Sequence, residues 1–399
     1  MKTNKIIFLD NNNKKIELSK PKRKSSFSTR LIIFLIICLI AVSVCLGFKI
    51  PLEEKLNPKS YFSNATIDES GLTTHFVDVG QGDGMAIRLP DGKTMVIDAG
   101  PKKNADDFVE YLKTSFFKQG EETIDYLILT HSDEDHCGGM AKVCENFTVE
   151  KIIRPKIYSK YTKSGKVVFD ETQNLTNITV CTTLVYSETI QAFNAETSNI
   201  IYTDINLLNT TQKIAGDNYS IDFYYPLRDY ITEDYIDKIG TVVNNYSPIM
   251  VLNYQGRKIM LTGDVSTAAE NYAMEAFDLP DIDVLKIAHH GSRTSTGMKF
   301  LYEIEPEYSV ISCGADNTYG HPTEDVLNRL MFVGSTVFRT DLSGDIVLNV
   351  TSNGEMNFFY ESVVLSANVG MYIHVEYIMF GVILVGAISC FAIWVRKKY

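Results

Sequence analysis

Along the middle of this chain, short apolar runs repeatedly stop on an aspartate or histidine beside a glycine, and this recurrence limits the folds open to it. Thr94-Met95-Val96-Ile97 ends on Asp98-Ala99-Gly100. Tyr126-Leu127-Ile128-Leu129-Thr130 runs into His131-Ser132-Asp133-Glu134-Asp135-His136-Cys137-Gly138-Gly139. Lys258-Ile259-Met260-Leu261 ends on Thr262-Gly263-Asp264, and the run from Asp283 to Ala288 ends on His289-His290-Gly291-Ser292. Runs of this length and composition read as buried strands, and the glycines mark the turns out of them. Strand ends that share one edge of an α/β sheet make a site there. An α/β domain with its polar residues gathered at one edge is therefore expected.

The intervening pattern fits. Residues 73–79 alternate like a strand, Gly80 to Gly84 is a tight loop, Met85 to Leu89 is a second strand, and Pro90-Asp91-Gly92-Lys93 is a hairpin turn. Apolar spacing predicts helices over 104–117 and 139–145. Residues 248–254 and 308–313 read as strands, and helices are expected from Ser266 and Thr323. Residues 147–225 carry β-like segments, such as 166–169 and 179–186, among Asn/Thr/Ser turns. They read as extra strands or a surface insertion, and no internal repeat is apparent.

His131 to His136 places two imidazoles and three carboxylates within six residues at a strand end. Side chains of these types, so spaced, converge on one or two divalent cations. A solvated polar loop is the plain alternative, but such loops rarely read H-x-D-x-D-H.

Two uncharged runs flank this region, 31–48 and 377–395. Each is long enough, at about 1.5 Å per residue, to cross or nearly cross a hydrocarbon core of about 30 Å. A cleaved signal peptide is disfavoured for the first, because no small-residue cleavage site follows it. Residues 1–50 hold ten Lys/Arg against two Asp/Glu, a balance of +8, and Arg396-Lys397-Lys398 adds +3. Basic flanks stay in the cytoplasm, which puts residues 51 to about 370 outside the cell membrane with both termini inside. Whole-chain charge is −11, so the part between carries −22. Such an acidic stretch opposes a broad nucleic-acid surface, although bound cations can invert the field locally. The seven cysteines are scattered without CxxC spacing and read as isolated thiols.

In order, Asp78 to Asp83, Val96 to Gly100, Thr130 to Gly139, Leu261 to Asp264, Ala288 to Ser292, Tyr319-Gly320-His321-Pro322 and Arg339-Thr340-Asp341 resemble the metallo-β-lactamase superfamily. Within it, they resemble the exported metallo-hydrolase domain of ComEC-type DNA-uptake channels. The resemblance covers 73 to about 350. It implies a four-layer αββα sandwich, here with a domain over 73–368, a linker over 49–72 and two single transmembrane helices between basic tails, 1–30 and 396–399. It also implies site residues. His131 and Asp133 would hold one metal, and Asp135, His136 and one of His289 or His290 the other. Asp264 would bridge them, and Asp98 would orient ligands. The superfamily usually has His where Asp133 stands. Its further His ahead of the bridging Asp is replaced by Asn244-Asn245-Tyr246-Ser247, from which Asn245 and Ser247 are taken as supporting residues. Oxygen-rich donors shift preference from Zn²⁺ toward Mn²⁺.

The chemistry implied is hydrolysis by metal-activated water, with Asp135 orienting or deprotonating the water and His321 or Arg293 meeting charge on a phosphoryl or acyl oxygen. His75 and His374 are read as structural or interfacial. The expected enzyme is a membrane-anchored, exported phosphodiesterase acting on a cell-wall or other phosphodiester. The alternatives are a nuclease acting on single-stranded DNA and a non-catalytic surface binding protein on the same fold. The polytopic channel region of ComEC is absent from this sequence, which points to a hydrolase rather than a conduit. The topology has a direct test: protease added to intact cells or protoplasts should digest the middle of the chain and spare both tails, and a middle protected until lysis would refute it.

Overall fold

The computed structural model describes residues 6–9, 15–18, 66–155, 158–160, 167–170, 183–196, 199–203, 213–225 and 243–360. Both uncharged runs, Cys38, Cys45, Cys181, Cys390 and His374 lie outside these residues. Among the described residues no helix is long and apolar enough to cross a membrane. The chain divides into two units. Of the first, a short antiparallel strand pair, Ile6–Leu9 with Lys15–Leu18, is described.

The second unit is built on two sheets. The strands of the first are β1 (Leu72–Phe76), β2 (Gly84–Arg88), β3 (Thr94–Ala99), β4 (Tyr126–Ile128), β5 (Lys151–Arg154) and β6 (Asn199–Tyr202). The second holds β7 (Lys213–Ala215), β8 (Tyr219–Tyr225), β9 (Ile249–Tyr254), β10 (Arg257–Leu261), β11 (Val284–Lys286), β12 (Tyr308–Ile311) and β13 (Thr336–Arg339). The chain then returns to the first sheet with β14 (Ile346–Val350) and β15 (Met356–Tyr360). The first sheet is ordered β6-β5-β4-β3-β2-β1-β14-β15, and the second runs from β7 to β13 in sequence order. In each sheet four strands are parallel and the others antiparallel.

Alternation along the strands sorts the apolar side chains into layers. Met85, Ile87, Met95, Ile97, Ile128 and Ile153 face the core shared with the second sheet. Their neighbours Ala86, Val96, Leu127 and Ile152 face a second cluster with helices α1 (Ala105–Tyr111), α3 (Met140–Asn146) and α4 (Leu184–Ala195). Between α1 and α3 lies the short α2 (Glu134–Cys137), so half of the predicted metal motif is helical rather than loop. Helices α5 (Thr267–Ala276), α6 (Met298–Ile304) and α7 (Glu324–Val333) cover the other face of the second sheet through Ala269, Ala273, Phe300, Leu301, Val326 and Leu330. The layers are helix, sheet, sheet, helix. Fully burying each Leu, Ile, Met or Phe contributes about 1.5–3 kcal/mol relative to exposure.

The described residues of the ambiguous region 147–225 form β5 and β6 of the first sheet, β7 and β8 of the second, α4, and two short strand pairs outside those sheets, Tyr158–Lys160 with Val167–Asp170 and Thr148–Val149 with Thr123–Ile124. Strand-like composition misleads at Leu184-Val185-Tyr186, which begins a helix. The Thr183 side chain accepts a hydrogen bond from the Tyr186 amide and caps it, and Tyr186, Ile190 and Phe193 lie buried along its length. The expected linker also ends earlier than 72. Asp68 accepts hydrogen bonds from the Ser352 amide (2.8 Å) and donates its own amide to Asn349 (2.8 Å), fixing the entry strand to the β14–β15 hairpin.

One buried acid positions the loop that follows β11. Glu270 on α5 accepts the amides of Thr296 (2.5 Å) and Gly297 (2.9 Å), while Arg329 on α7 donates to the carbonyls of Ser295 (2.9 Å) and Thr296 (3.1 Å). Burial pushes the Glu270 carboxyl from 4.5 up to about 7, against the pull of the two amides and Arg329. The folded state therefore holds this proton more tightly than the unfolded chain. Its stabilising contribution is complete below the ordinary carboxyl value and is lost as pH rises through about 7. In urea unfolding, the stability of the wild type relative to Glu270→Gln should fall by about 3 kcal/mol across that window. A difference that does not change with pH would refute the assignment.

Candidate metal centre

The edge of the two sheets that carries the ends of β3, β4, β10, β11 and β12 collects the polar residues. Asp98 closes β3 in a left-handed conformation (φ 54°). From there it accepts the Thr130 amide (2.8 Å), the Thr130 hydroxyl (2.6 Å) and Nδ1 of His136 (2.7 Å). Fixing Nδ1–H on a carboxylate turns the other nitrogen outward. Nε2 of His136 lies 3.3 Å from Oδ1 of Asp264 and 3.3 Å from Nε2 of His290. Nδ1 of His131 lies 3.1 Å from Thr130 Oγ1 and 3.2 Å from Ser247 Oγ, which fix the ring. Its Nε2 faces Asp133 Oδ2 (3.6 Å) and Asp264 Oδ2 (3.9 Å).

Asp264, two residues beyond Thr262 at the end of β10, sits centrally. Its amide donates to Ser247 Oγ (3.1 Å), and Oδ2 accepts from Asn244 Nδ2 (3.3 Å). Both histidines after β11 have left-handed backbones (φ 52° and 53°), which turn the two rings toward Asp264. His290 is buried, with Nε2 3.2 Å from Asp135 Oδ2 and 3.5 Å from Asp264 Oδ2. His289 stands 3.8 Å from Asp264 Oδ2 at the rim, with its side chain 31% exposed. Two glycines let these loops meet. A Cβ on Gly82 would lie 2.3 Å from the Asp135 carbonyl, and one on Gly139 would lie 2.2 Å from that of Ala99.

Among the described residues, Asp83, His136, Asp264 and His290 offer donor atoms that all lie within 4.8 Å of one another, and all four are buried. His131 Nε2 and Asp264 Oδ1 are buried with no hydrogen-bond partner. An unpartnered buried imidazole nitrogen and carboxylate oxygen, beside the further imidazoles around Asp264, suit a divalent cation, so these residues fit one.

The charges are mutually determined. Burial works against a charged His290, but Asp264, Asp135 and Asp83 outweigh it and raise the ring to about 10. Burial likewise opposes charge on His136, whose pKa Asp264 and Asp98 nevertheless hold well above the ordinary value. Despite burial, His136 and His290 keep Asp264 well below the carboxylate range, and His290 does the same for Asp135 more mildly. His321 follows β12, its ring 5.6 Å from that of His289 and 6.4 Å from that of His290. Burial, together with those two rings, pushes it down to about 4.

Sequence reasoning thus assembled His131, Asp133, Asp135, His136, Asp264, His289 and His290, and the structure brings them to one place, with Asp98 and Ser247 supporting them. Two details differ. The amide touching Asp264 comes from Asn244, whereas Asn245 accepts from the Ser266 amide and hydroxyl (3.2 and 2.7 Å) and so holds the start of α5. His321, pushed down to about 4, is neutral at pH 7, which makes it a hydrogen-bond partner rather than a counter-charge. Lys286 is fully buried beside Asp83 (2.8 Å). Arg293 is exposed on the loop after His290. His75 is structural as expected, paired with Tyr111 Oη at 2.8 Å. Asp83 itself was missed, because Gly80-Gln81-Gly82-Asp83-Gly84 reads as turn chemistry alone.

The model of the family described as the metallo-beta-lactamase superfamily matches residues 77–315. The chain belongs to the metallo-β-lactamase superfamily. Its members' hydrolase domain, with a candidate metal-binding group, is what residues 72–360 form. The superfamily chain described here is 28% identical over 284 residues to ComE operon protein 3 of Bacillus subtilis, covering 68% of this chain and 32% of that protein. It is 23% identical over 279 residues to Recombination protein 2 of Haemophilus influenzae, covering 68% and 28%. With Competence protein ComA of Neisseria gonorrhoeae it shares 37% identity over 113 residues, 28% of this chain and 16% of the other. The chain spans about a third or less of the length of these relatives. Among solved structures, the metallo-β-lactamase fold protein YhfI of Bacillus subtilis aligns over 70% of this chain and 99% of its own at 12% identity and a TM-score of 0.39.

A cation entering this donor set competes with the protons on His136 and His290. Calorimetric titration in buffers of different ionisation enthalpy should show proton release at neutral pH and affinity that keeps rising with pH up to about 10, where His290 gives up its proton. Asp264→Ala should eliminate the binding, and wild-type affinity in that variant would refute the site.

Proposed function

We propose that this chain is a metal-dependent phosphodiesterase whose two ion positions meet at Asp264. The observation that carries the reading is the placement of this buried carboxylate within 3.9 Å of a nitrogen of His131, His136, His289 and His290. His131 and Asp133 lie on one side of it, His136, His290 and Asp135 on the other. Those residues would hold a divalent ion on each side, which would supply Lewis acidity and an activated water near neutral pH.

The chain's own groups do the remaining work. Asp135 is the more exposed of the carboxylates around His290, with its side chain 29% exposed. It is placed to orient an attacking water and take its proton. His321, neutral and with its buried Nδ1 lacking a partner, is placed to hydrogen-bond a phosphoryl or leaving oxygen. Arg293, exposed on the loop beyond His290, is assigned here to meeting the substrate anion. The proposal includes the exported, doubly anchored topology argued from the flanking charges.

Two relatives carry recombination and competence in their names, and with the resemblance to ComEC-type domains this supports a second reading: a nuclease acting on single-stranded DNA. The −22 balance between the flanking runs weighs against it, because non-specific affinity for DNA comes mainly from neutralising phosphates. A panel of bis-p-nitrophenyl phosphate, a cell-wall phosphodiester and single-stranded DNA, assayed with Mn²⁺ or Zn²⁺ at near-physiological salt, separates the readings. Turnover should require the metal, with DNA cleaved no faster than the other diesters. Asp135→Ala should lower kcat by about 10²–10⁴-fold, and Asp133→His should move preference toward Zn²⁺. Tight DNA binding with a dominant DNA rate would establish the nuclease instead. No metal-dependent turnover of any diester would remove both.

A further inference from the structure

The ends of β11 and of the β1–β2 loop place two opposite charges in the floor of the centre. Lys286 and Asp83 are both fully buried, with Nζ 2.8 Å from Oδ2. Lys286 also donates to the carbonyl of Ile287 (3.0 Å). Asp83 is fixed at its backbone as well, donating its amide to the Asp135 carbonyl (3.1 Å) and accepting from the Gly100 amide (2.8 Å). Its other carboxylate oxygen, Oδ1, lies 3.3 Å from Nδ1 of His290, which also approaches the Ser312 carbonyl at 3.0 Å. The opposite edge of that ring, Nε2, faces Asp135, Asp264 and His136.

We infer that Asp83 and Lys286 form a buried positioning pair for His290. Asp83 and the Ser312 carbonyl hold the proton on Nδ1, so that the Nε2 lone pair points at the metal donors. Lys286 anchors the far oxygen of Asp83 and balances its charge. The arrangement parallels the one on His136, where Asp98 occupies the same position, but the means differ. Asp98 is held by the amide and hydroxyl of Thr130, whereas the oxygen of Asp83 turned away from His290 is held by the Lys286 ammonium. Burying a carboxylate is costly unless an opposite charge compensates it, and Lys286 supplies that charge at 2.8 Å. Without Lys286, Oδ2 of Asp83 would lose its anchor, and His290 would lose the partner that orients its ring. The inference rests on the metal-centre reading above, since it concerns which nitrogen of His290 is presented to the ion.

Two measurements on the full chain test it. Removing one member alone strands a buried charge, so the decisive variant is the double substitution Asp83→Asn with Lys286→Met, which removes both charges while keeping volume. This variant should keep the wild-type circular dichroism spectrum and a cooperative melt, and should bind Mn²⁺ about 10–100-fold more weakly by equilibrium dialysis. A folded double variant with wild-type affinity would show that the pair fills space and nothing more. Independently of folding in any variant, long-range ¹H–¹⁵N spectra of the wild type loaded with Zn²⁺ should show His290 protonated at Nδ1 and ligated through Nε2. Ligation through Nδ1 would overturn the inference. A wild type that binds neither metal would instead overturn the metal-centre reading, an outcome distinct from both.

Discussion

A carboxylate buried to 2% exposure persists as an anion only if the protein surrounds it with opposing charge or donors, and Asp264 is such a group. The site's architecture answers that requirement. Three separate chain segments, after β4, in α2 and after β11, deliver imidazoles to one carboxylate. Three of these imidazoles have a partner at the other nitrogen: Asp98 for His136, Thr130 or Ser247 for His131, and Ser312 with Asp83 for His290. Left-handed backbones at Asp98, His289 and His290 are the conformational expense of bringing side chains from strand ends back across the sheet edge. The helices behind the site contribute as well, since Glu270 and Arg329 grip the loop that carries His289 and His290 away from β11.

Much of this was legible because the signals are local. A strand of period two followed by glycine is read within a dozen residues, and the clustering of His131 to His136 needs no knowledge of the fold. What was not legible depends on distance or on charge context. Asp83 and Lys286 are separated by about two hundred residues, and a lysine in isolation reads as solvated; only its position inside the apolar run Val284 to Ala288 hinted otherwise. Asn244 and Asn245 are adjacent and chemically identical, so no pattern could say which one reaches Asp264. The neutrality of His321 comes from burial and from two histidines thirty residues away in sequence. At Leu184 to Tyr186, β-like composition yielded to a capping threonine and to the buried stripe of the helix that follows, a tertiary preference that overrides local propensity.

The same internal pairing bears on how this surface meets anions. Arg88 is bound to Glu121 (2.7 Å), Arg257 to Asp283 (2.8 Å) and Arg339 to Asp341 (2.6 Å), and Lys286 lies in the floor of the site. These cations are engaged within the protein. In a stretch that is acidic overall, that pairing reduces the positive charge available for broad attraction of a polyanion.

The close approaches at Gly82 and Gly139 carry a further consequence. The loop before β2 presses on the backbone of Asp135, and the start of α3 presses on the end of β3, each without room for a single methyl group. The segments that bear the ligands are thus fitted to one another and not only to the ion. A lineage exploring new substrates could not remodel any one of them without disturbing the others. Diversification would have to run through parts free of that mutual fit, such as the exposed turn carrying Tyr319, leaving a fixed chemical centre beneath a surface open to revision.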